Sequence, residues 1–297
     1  MRLDKPYLGK EIINGCKIKD SGNVWEDKMS KYKMVTCDLD GTLFGSDSHV
    51  SEENNKAIKE FCEKGIPFVP CTGRTLGEIR EVADNPDIRY VIYSSGAAVL
   101  DKKTGECINY CLPSEAKEKL VTVLSEYDVY LFLHADGNSY IDARLQGKEM
   151  EYQLNDTLCG MAENFATPLD DLKKAIINMQ VECVCVFFKN EEERDKCRAE
   201  FMADDRFMIT EPWECNIELF YVTAGKANAI KELAERLDID IADVISIGDS
   251  NNDVEALMTA GLGIAVSNGS DQVKKIADEI ACSNDENVAE YVLKKYF

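Results

Sequence analysis

The sequence predicts an α/β fold, a parallel sheet flanked by helices, that is interrupted by a separate α+β segment. Short apolar runs alternate with helical patterns from residue 34 to about residue 93, and again from about residue 227 to the C-terminus. Between these regions, strand patterns follow one another directly. Alternating strands and helices are typical of parallel sheets, whose strands are joined by crossover helices.

The first part of the chain is predicted to have the order β-α-β-α-β. Ser51 is suited to cap the first helix and Gly65 to end it, while Asn85-Pro86 ends the second helix. Lys103-Thr104-Gly105 is typical of a turn between two further short strands. The predicted strands are 34–37, 66–71 and 88–93, and the predicted helices are 51–65 and 76–83.

Residues 114–220 are predicted to have the order α-β-β-α-β-α-β-β. Ser114 is expected to cap a helix, and Pro168 to begin one that ends near Met179. Asp136-Gly137 between two apolar runs indicates a hairpin. The other predicted elements of this segment are strands 129–133, 139–142, 181–188, 207–210 and 216–221, and helix 191–202.

The β/α alternation then resumes and continues to the C-terminus. The predicted helices are 227–237, 252–258, 271–277 and 288–296, and the predicted strands are 244–247, 262–266 and 279–282. A chain of 297 residues exceeds the usual size of one domain. We therefore expect a core domain formed by 34–113 and 221–297, an inserted domain at 114–220 and an N-terminal extension at 1–33.

Composition restricts the partners and the compartment. The formal net charge of −21 argues against nucleic acid or an anionic membrane, because both require a basic surface. A small anionic substrate remains compatible, provided that a cation or a few basic groups offset the local carboxylates. No apolar run approaches about 18 residues, and the first residues do not form a signal sequence, so we expect a cytosolic protein. The oligomeric state is left open.

Cysteine is abundant, and histidine is rare. The chain has twelve cysteines without a CxxC pair and only two histidines, His49 and His134. This pattern favours free thiols in a reducing compartment, most of them acting as small core side chains. Cys183 and Cys185 lie on one strand, and the sequence predicts neither a suitable spacing nor a histidine neighbour for zinc.

Polar segments recur where predicted strands end and where one helix begins. Each alone has a simpler explanation: an Asp-Gly turn, a helix N-cap, a solvated lysine or a capped helix start. Together they are harder to explain in this way, because the carboxyl ends of parallel strands share one edge of the sheet. The four segments are Asp38-Leu39-Asp40-Gly41-Thr42, Cys71-Thr72-Gly73-Arg74-Thr75, Gly225-Lys226 and Gly248-Asp249-Ser250-Asn251-Asn252-Asp253.

The set of motifs DLDGT, TGR, a lone lysine and GDSNND, in this order over 34–297, resembles the haloacid dehalogenase superfamily. It is most similar to Cof-type phosphatases, and the position and element order of the inserted segment resemble their C2B cap. The resemblance implies a Rossmann-like core with an α+β cap. Family members often have Ser-Lys-Gly around the lysine, whereas this chain has Ala224-Gly225-Lys226-Ala227.

The resemblance also implies a role for each motif residue. Asp38 would attack phosphorus, and Asp40 would protonate the leaving group and then deprotonate water. Mg²⁺ would be held by the carboxylates of Asp38 and Asp249 and by the backbone carbonyl of Asp40, with Asp253 holding the waters of the metal or Lys226. Thr72 and Lys226 would stabilise the phosphoryl group. The implied substrate-binding residues are Thr72, Gly73, Arg74 and Asn252.

The expected reaction is hydrolysis of a small phosphorylated metabolite, such as a sugar phosphate or a nucleotide-like cofactor. P-type ATPases have a similar core but carry threonine at the position of Asp40, so Asp40 favours a phosphatase or a mutase. A phosphomannomutase-like phosphomutase and a non-catalytic phospho-ligand sensor stay open as alternatives. Arg144 and Lys148 are candidates for leaving-group contacts, with solvated surface charge as the simpler interpretation.

Overall fold

The computed structural model describes residues 30–297, so most of the predicted extension 1–33 lies outside the described residues. Two large sheets account for most of the strands within this range, one of five strands and one of six. Among the described residues, no helix has the length and apolar character needed to cross a membrane.

The five-stranded sheet is entirely parallel and has the order β14-β13-β12-β1-β2. In the central strands the side chains are buried on both faces, as is usual when helices cover a parallel sheet. The strands are β1 Met34–Cys37, β2 Phe68–Pro70, β12 Val244–Gly248, β13 Leu262–Ala265 and β14 Glu279–Ile280.

The third predicted strand continues this sheet only through one parallel bridge, Cys71 to Ile92. It then forms an antiparallel sheet of three strands, β3-β4-β5, which includes the predicted turn at Thr104-Gly105. The strands are β3 Tyr90–Tyr93, β4 Ala98–Asp101 and β5 Glu106–Asn109.

Six helices pack around the core strands. The first begins after Ser51, whose side chain accepts a hydrogen bond from the Asn54 amide, as predicted. The predicted helix 76–83 is instead a short turn, Leu76–Glu78, followed by a single α-helical turn. The helices are α1 Glu52–Glu63, α2 Arg80–Ala83, α7 Lys226–Arg236, α8 Val254–Thr259, α9 Asp271–Ile276 and α10 Val288–Tyr296.

The inserted segment forms a six-stranded sheet in the order β10-β11-β9-β6-β7-β8, in which only β7 and β8 pair in parallel. The strands are β6 Val129–Ala135, β7 Asn138–Asp142, β8 Ala166–Leu169, β9 Val181–Phe188, β10 Phe207–Thr210 and β11 Asn216–Tyr221. The helices are α3 Ser114–Leu124, α4 Asp156–Asn164, α5 Leu172–Asn178 and α6 Glu191–Met202.

The prediction that a helix begins at Pro168 is wrong. Pro168 lies within β8, the outermost strand of the sheet, where a residue without an amide hydrogen is tolerated. The helix begins at Leu172, and the Asp171 side chain accepts a hydrogen bond from the Lys174 amide. The sequence prediction also missed α4, which Asn155 caps. The observed order of the segment is therefore α-β-β-α-β-α-β-α-β-β.

Two buried glutamates connect the inserted segment to the core strands. Glu182 in β9 accepts hydrogen bonds from the Ser94 hydroxyl at 2.7 Å and from the Gly137 amide at 2.8 Å. Glu78 accepts a bond of 2.6 Å from the Ser139 hydroxyl in β7. Burial raises the pKa of Glu182, and the two donors only partly oppose this effect. The contact between the inserted segment and the core thus includes buried polar groups that satisfy one another.

The first prediction concerns Glu182. Glu182→Ala leaves the Ser94 hydroxyl and the Gly137 amide without their acceptor, so we expect the free energy of unfolding to fall by about 1–3 kcal/mol. Urea denaturation followed by circular dichroism measures this change. Glu163→Ala, an exposed glutamate in α4, serves as the control and should change stability by less than about 0.5 kcal/mol. Equal effects of the two substitutions would contradict the prediction.

Candidate active site

Asp38 directly follows β1, and its amide continues the parallel ladder by donating to the Ile247 carbonyl at 3.0 Å. The chain then turns sharply through Leu39–Leu43. At Gly41 the backbone has a φ of +74°, and a Cβ atom there would lie 2.8 Å from Oδ2 of Asp249. Glycine at this position therefore allows the turn after β1 to approach the turn after β12.

Lys226 connects two carboxylates in the interior. Its Nζ donates to Oδ1 of Asp38 at 2.6 Å and to Oδ1 of Asp253 at 2.7 Å. The side chains of Lys226 and Asp253 are each 2% exposed, and that of Asp38 is 7% exposed. Three segments that are distant in sequence thus meet at one buried ammonium group.

The position of Lys226 depends on a close backbone approach at the start of α7. Gly96, with a φ of +86°, leaves no room for a Cβ atom, which would lie 2.3 Å from the Gly225 carbonyl carbon. The preceding residues, Ser94 and Ser95, also have positive φ values of 48° and 54°. The strained turn after β3 therefore packs directly against the residue before Lys226.

Burial and charge oppose each other in this group. Burial raises the pKa of Asp38 well above its usual value, although Lys226 opposes that shift. For Lys226, burial alone would lower the pKa, but Asp253 and Asp38 outweigh it and raise the pKa well above its usual value. The ammonium group is therefore charged, and the nearby carboxylates are in excess of it.

The turn after β12 adds the third carboxylate. Oδ2 of Asp253 accepts from the amides of Asp249 and Ser250, each at 3.1 Å, which fixes this turn. The Thr42 hydroxyl donates to Oδ1 of Asp249 at 3.1 Å. Burial, followed by the charge of Asp253, raises the pKa of Asp249 to about 6.

The carboxylates of Asp38, Asp249 and Asp253 offer oxygen atoms that lie within 4.8 Å of one another. With Lys226 we call them the Lys226 cluster. Several carboxylate oxygens in one crevice are the hard donors that Mg²⁺ prefers. The pKa values of Asp38 and Asp249 are raised by the cause expected for crowded, desolvated carboxylates, a condition that a bound cation would relieve.

Asp40 and Arg74 form a separate ion pair at the edge of the Lys226 cluster. Arg74 donates from Nε to Oδ2 at 2.8 Å and from a terminal nitrogen to Oδ1 at 2.5 Å. The Asp40 side chain is 52% exposed, whereas that of Arg74 is 19% exposed. The guanidinium also lies 5.5 Å from the centre of the Phe44 ring. This pair joins the first two sequence motifs but places the Asp40 carboxylate outside the three-carboxylate group.

The remaining motif residues surround this group to different depths. Thr72 is fully buried, and its hydroxyl oxygen accepts from the Arg74 amide at 3.1 Å. Within residues 30–297 that hydroxyl donates to no side chain or carbonyl, so its proton is available to another acceptor. Gly73 is half-buried, and Asn252 is exposed and accepts a bond of 2.6 Å from the Ser250 hydroxyl.

Comparison with known proteins identifies the family. The sequence model of the family of haloacid dehalogenase-like hydrolases matches residues 35–293. The chain belongs to this family. A 5-amino-6-(5-phospho-D-ribitylamino)uracil phosphatase of Bacillus subtilis is 27% identical over 282 residues, which cover 88% of this chain and 96% of that protein.

Solved structures of haloacid dehalogenase-like hydrolases have the same fold. One from Bacteroides thetaiotaomicron superposes with a TM-score of 0.76 at 22% identity, covering 90% of this chain and all of the other. A sugar phosphatase of HAD subclass IIB superposes with a TM-score of 0.69 at 19% identity, covering 88% and 97% of the two chains. The predicted family, fold class and phosphatase type of enzyme are confirmed by the family, the relatives and the fold together.

Several residues that contact the site of this haloacid dehalogenase-like chain were not singled out from the sequence. The Asn268 side chain donates to the Gly41 carbonyl at 2.8 Å, and the Ser95 amide donates to the Thr72 carbonyl at 2.9 Å. Both follow strands of the core, β13 and β3. The rule that marked the other motifs, polar residues at the end of a strand, would have found them.

Arg144 and Lys148 do not belong to the Lys226 cluster. Both are exposed, and Arg144 forms an ion pair with Asp142 of its own segment at 2.5 Å. The interpretation as solvated surface charge is therefore favoured for both.

The second prediction concerns the buried ammonium group. Lys226→Met leaves Asp38 and Asp253 without their shared partner, so we expect a loss of about 3–5 kcal/mol in the free energy of unfolding at neutral pH. The loss should shrink as the pH falls, because protonation removes the unpaired charges. Guanidinium denaturation at several pH values measures both effects.

The matched control is Lys231→Met, which removes an exposed lysine from the same helix. It should change stability by less than about 0.5 kcal/mol. Adding Asp253→Asn to Lys226→Met should restore part of the stability. If the two lysine substitutions were equally harmless, the buried ammonium would not be holding the carboxylates together.

Proposed function

We propose that the protein is a Mg²⁺-dependent phosphatase that removes phosphate from a small phosphorylated metabolite through an aspartyl-phosphate on Asp38. The observation that carries this proposal is the Lys226 cluster, where one buried lysine binds Asp38 and Asp253 beside Asp249 at the ends of adjacent strands. Ligands bind at this edge of parallel sheets. A carboxylate is one of the side chains that form covalent intermediates with phosphoryl groups.

Asp38 is the proposed nucleophile. One carboxylate oxygen forms a bond to phosphorus, and the bond from phosphorus to the substrate oxygen breaks. Lys226 stays at 2.6 Å from the carboxylate, where it orients Asp38 and offsets negative charge as the phosphoryl group transfers. Asp253 acts as a positioning residue, because both of its oxygens are already engaged, one with Lys226 and the other with two backbone amides.

The residues that would hold Mg²⁺ are Asp38 and Asp249, together with the Asp40 carbonyl and, through water, Asp253. The donor set fits this ion, because it consists of oxygen atoms and carries more negative charge than Lys226 offsets. When bound, the ion neutralises charge between the anionic nucleophile and the phosphate. The Thr42 hydroxyl orients Asp249 for this role.

Asp40 is the proposed general acid and base. Its carboxyl group gives a proton to the leaving oxygen and later takes one from the water that hydrolyses the aspartyl-phosphate. Arg74 donates to both oxygens of Asp40, so this ion pair must open for Asp40 to exchange a proton with the substrate. Arg74 is then free to contact the substrate. Thr72, with its available hydroxyl proton, and Gly73 and Asn252 would bind the phosphoryl group and its surroundings.

The inserted domain, 114–220, is the proposed cap that selects the leaving group over the core formed by 34–113 and 221–297. The named relatives act on a phosphorylated ribitylaminouracil and on sugar phosphates, which favours a small polar phosphomonoester. The charge of −21 supports such a partner over nucleic acid or membrane lipid. A cytosolic location stays a prediction, which the free cysteines of the described chain support.

The third prediction tests the reaction and the nucleophile together. With Mg²⁺, the protein should release inorganic phosphate from members of a panel of sugar phosphates and nucleotide-like phosphates. Asp38→Asn should lower kcat by roughly a thousand-fold or more, because the nucleophile is lost. Phosphate release measured for each compound, with circular dichroism as the check on folding, gives the result.

Two outcomes of this experiment favour other functions. Hexose 1-phosphate converted into an isomer without phosphate release would favour a phosphomutase. Binding of phosphomonoesters without turnover of any of them would favour a phospho-ligand sensor. Substantial turnover by folded Asp38→Asn would overturn the assignment of Asp38.

The fourth prediction concerns pH. Mg²⁺ must displace the proton of Asp249, whose pKa is raised to about 6, so the affinity for Mg²⁺ should fall as the pH decreases through that value. We expect a loss of about tenfold per pH unit below about pH 6, measured by isothermal titration calorimetry. Thr42→Val removes a hydrogen bond that lowers the pKa of Asp249. In this variant the affinity for Mg²⁺ should therefore begin to fall at a higher pH. An affinity for Mg²⁺ that is independent of pH in this range would rule out Asp249 as a ligand.

A further inference from the structure

A second group of metal-ligating side chains lies in the inserted sheet, on the strands β6, β9 and β11. The register of β6 and β9 pairs His134 with Cys183. Cys185 lies two residues further along β9 and therefore on the same face of the sheet. All three are buried, with exposures of 8% for His134, 1% for Cys183 and 6% for Cys185. The sequence predicted no histidine neighbour for these cysteines, and the strand register supplies one.

The donor atoms of this group lie close together. A ring nitrogen of His134 and the two sulfur atoms all lie within 4.8 Å of one another. The two sulfur atoms are 3.8 Å apart. Two thiolates bound to one tetrahedral zinc ion at about 2.3 Å are themselves separated by about 3.8 Å. The sulfur separation therefore already suits a shared zinc ion.

His134 carries an unexplained buried polar atom. Its Nδ1 is inaccessible to solvent and has no hydrogen-bond partner among the described residues. Leaving such an atom unpaired costs about 1–3 kcal/mol, so buried ring nitrogens normally have a partner. A neutral imidazole is the form that binds metals.

Glu218 in β11 lies beside Cys185 and offers a further carboxylate donor. It pairs with Cys185 in the strand register, and its Oε1 lies 3.7 Å from the Cys185 sulfur. Its other oxygen accepts a bond of 2.8 Å from the Thr210 hydroxyl, which orients the carboxylate. Ligating carboxylates and histidines are commonly held by such outer contacts.

We propose that His134, Cys183, Cys185 and Glu218 form a zinc-binding site in the inserted sheet. A donor set of two sulfurs, one nitrogen and one oxygen is typical of zinc and unsuited to Mg²⁺. A hydrogen bond between two thiols explains the sulfur contact alone and leaves Nδ1 of His134 unpaired. The site differs in donor chemistry from the Lys226 cluster, whose donors are carboxylate oxygens.

The position of the site indicates a structural role. Cys183 and Cys185 belong to the apolar cluster that also contains Ala97, next to the strained turn at Gly96, and Ala224, two residues before Lys226. Zinc here would link three adjacent strands on the side of the sheet that contacts these core segments. We therefore expect zinc to raise the melting temperature of the protein, while its removal leaves Mg²⁺ binding at the Lys226 cluster intact.

The fifth prediction concerns the binding of Co²⁺ and Zn²⁺ to the full chain. Metal is first removed from the protein, and its cysteines are kept reduced. Co²⁺ should produce the charge-transfer absorption of thiolate ligands with one equivalent per chain, and Zn²⁺ should abolish it by displacement. Carboxylate ligands give no such band, so the Lys226 cluster does not interfere. X-ray absorption of the zinc protein should show two sulfur and two lighter ligands. A wild-type protein without the thiolate band, or a zinc shell without two sulfurs, would overturn the proposal.

Variants locate the site. Cys183→Ala, Cys185→Ala and His134→Gln should each abolish or strongly weaken the band. Cys197→Ala, a buried cysteine of α6 in a different cluster, and Asp249→Asn in the Lys226 cluster should both retain it. A band that persists unchanged in folded Cys183→Ala or His134→Gln would place the metal elsewhere. Where a variant fails to fold, the sulfur count from the wild-type absorption spectrum decides.

Discussion

The buried ammonium group of Lys226 is the interaction on which the rest of the site depends. It lies at 2.6 Å and 2.7 Å from two carboxylates that are themselves almost inaccessible to solvent. Two such carboxylates could not remain charged together in this environment without it. To place this group, α7 must begin directly after Gly225, which packs against the strained turn after β3, and the turns after β1 and β12 must meet at Gly41. Backbone geometry and charge balance therefore support each other.

One lysine does not offset all the carboxylates, and this excess defines the chemistry of the site. Asp38 and Asp249 have raised pKa values because they are buried next to other acids. Such a site favours a divalent cation and, through it, an anionic ligand. The same protein places sulfur and nitrogen donors on β6 and β9. Because their donors differ, the Lys226 cluster would bind a hard ion such as Mg²⁺, and the site in the inserted sheet would bind a softer ion such as zinc.

The inserted sheet rests on the core through polar contacts as well as apolar ones. Glu182 and Glu78 are buried, yet each is satisfied by a hydroxyl group and a backbone amide. Interfaces between domains of one chain are typically more polar than obligate interfaces, and these contacts fit that pattern.

The sequence by itself determined the alternation of strands and helices, the inserted segment and the four polar motifs, because strand ends and helix caps leave local patterns. It did not place the helix near Pro168, since only the pairing of β8 as an edge strand makes that proline acceptable. Tertiary structure alone decided that Arg74 holds Asp40, that Thr42 contacts Asp249, and that His134 lies beside Cys183. These contacts join residues far apart in sequence, and strand order and register, which set them, leave no local signal.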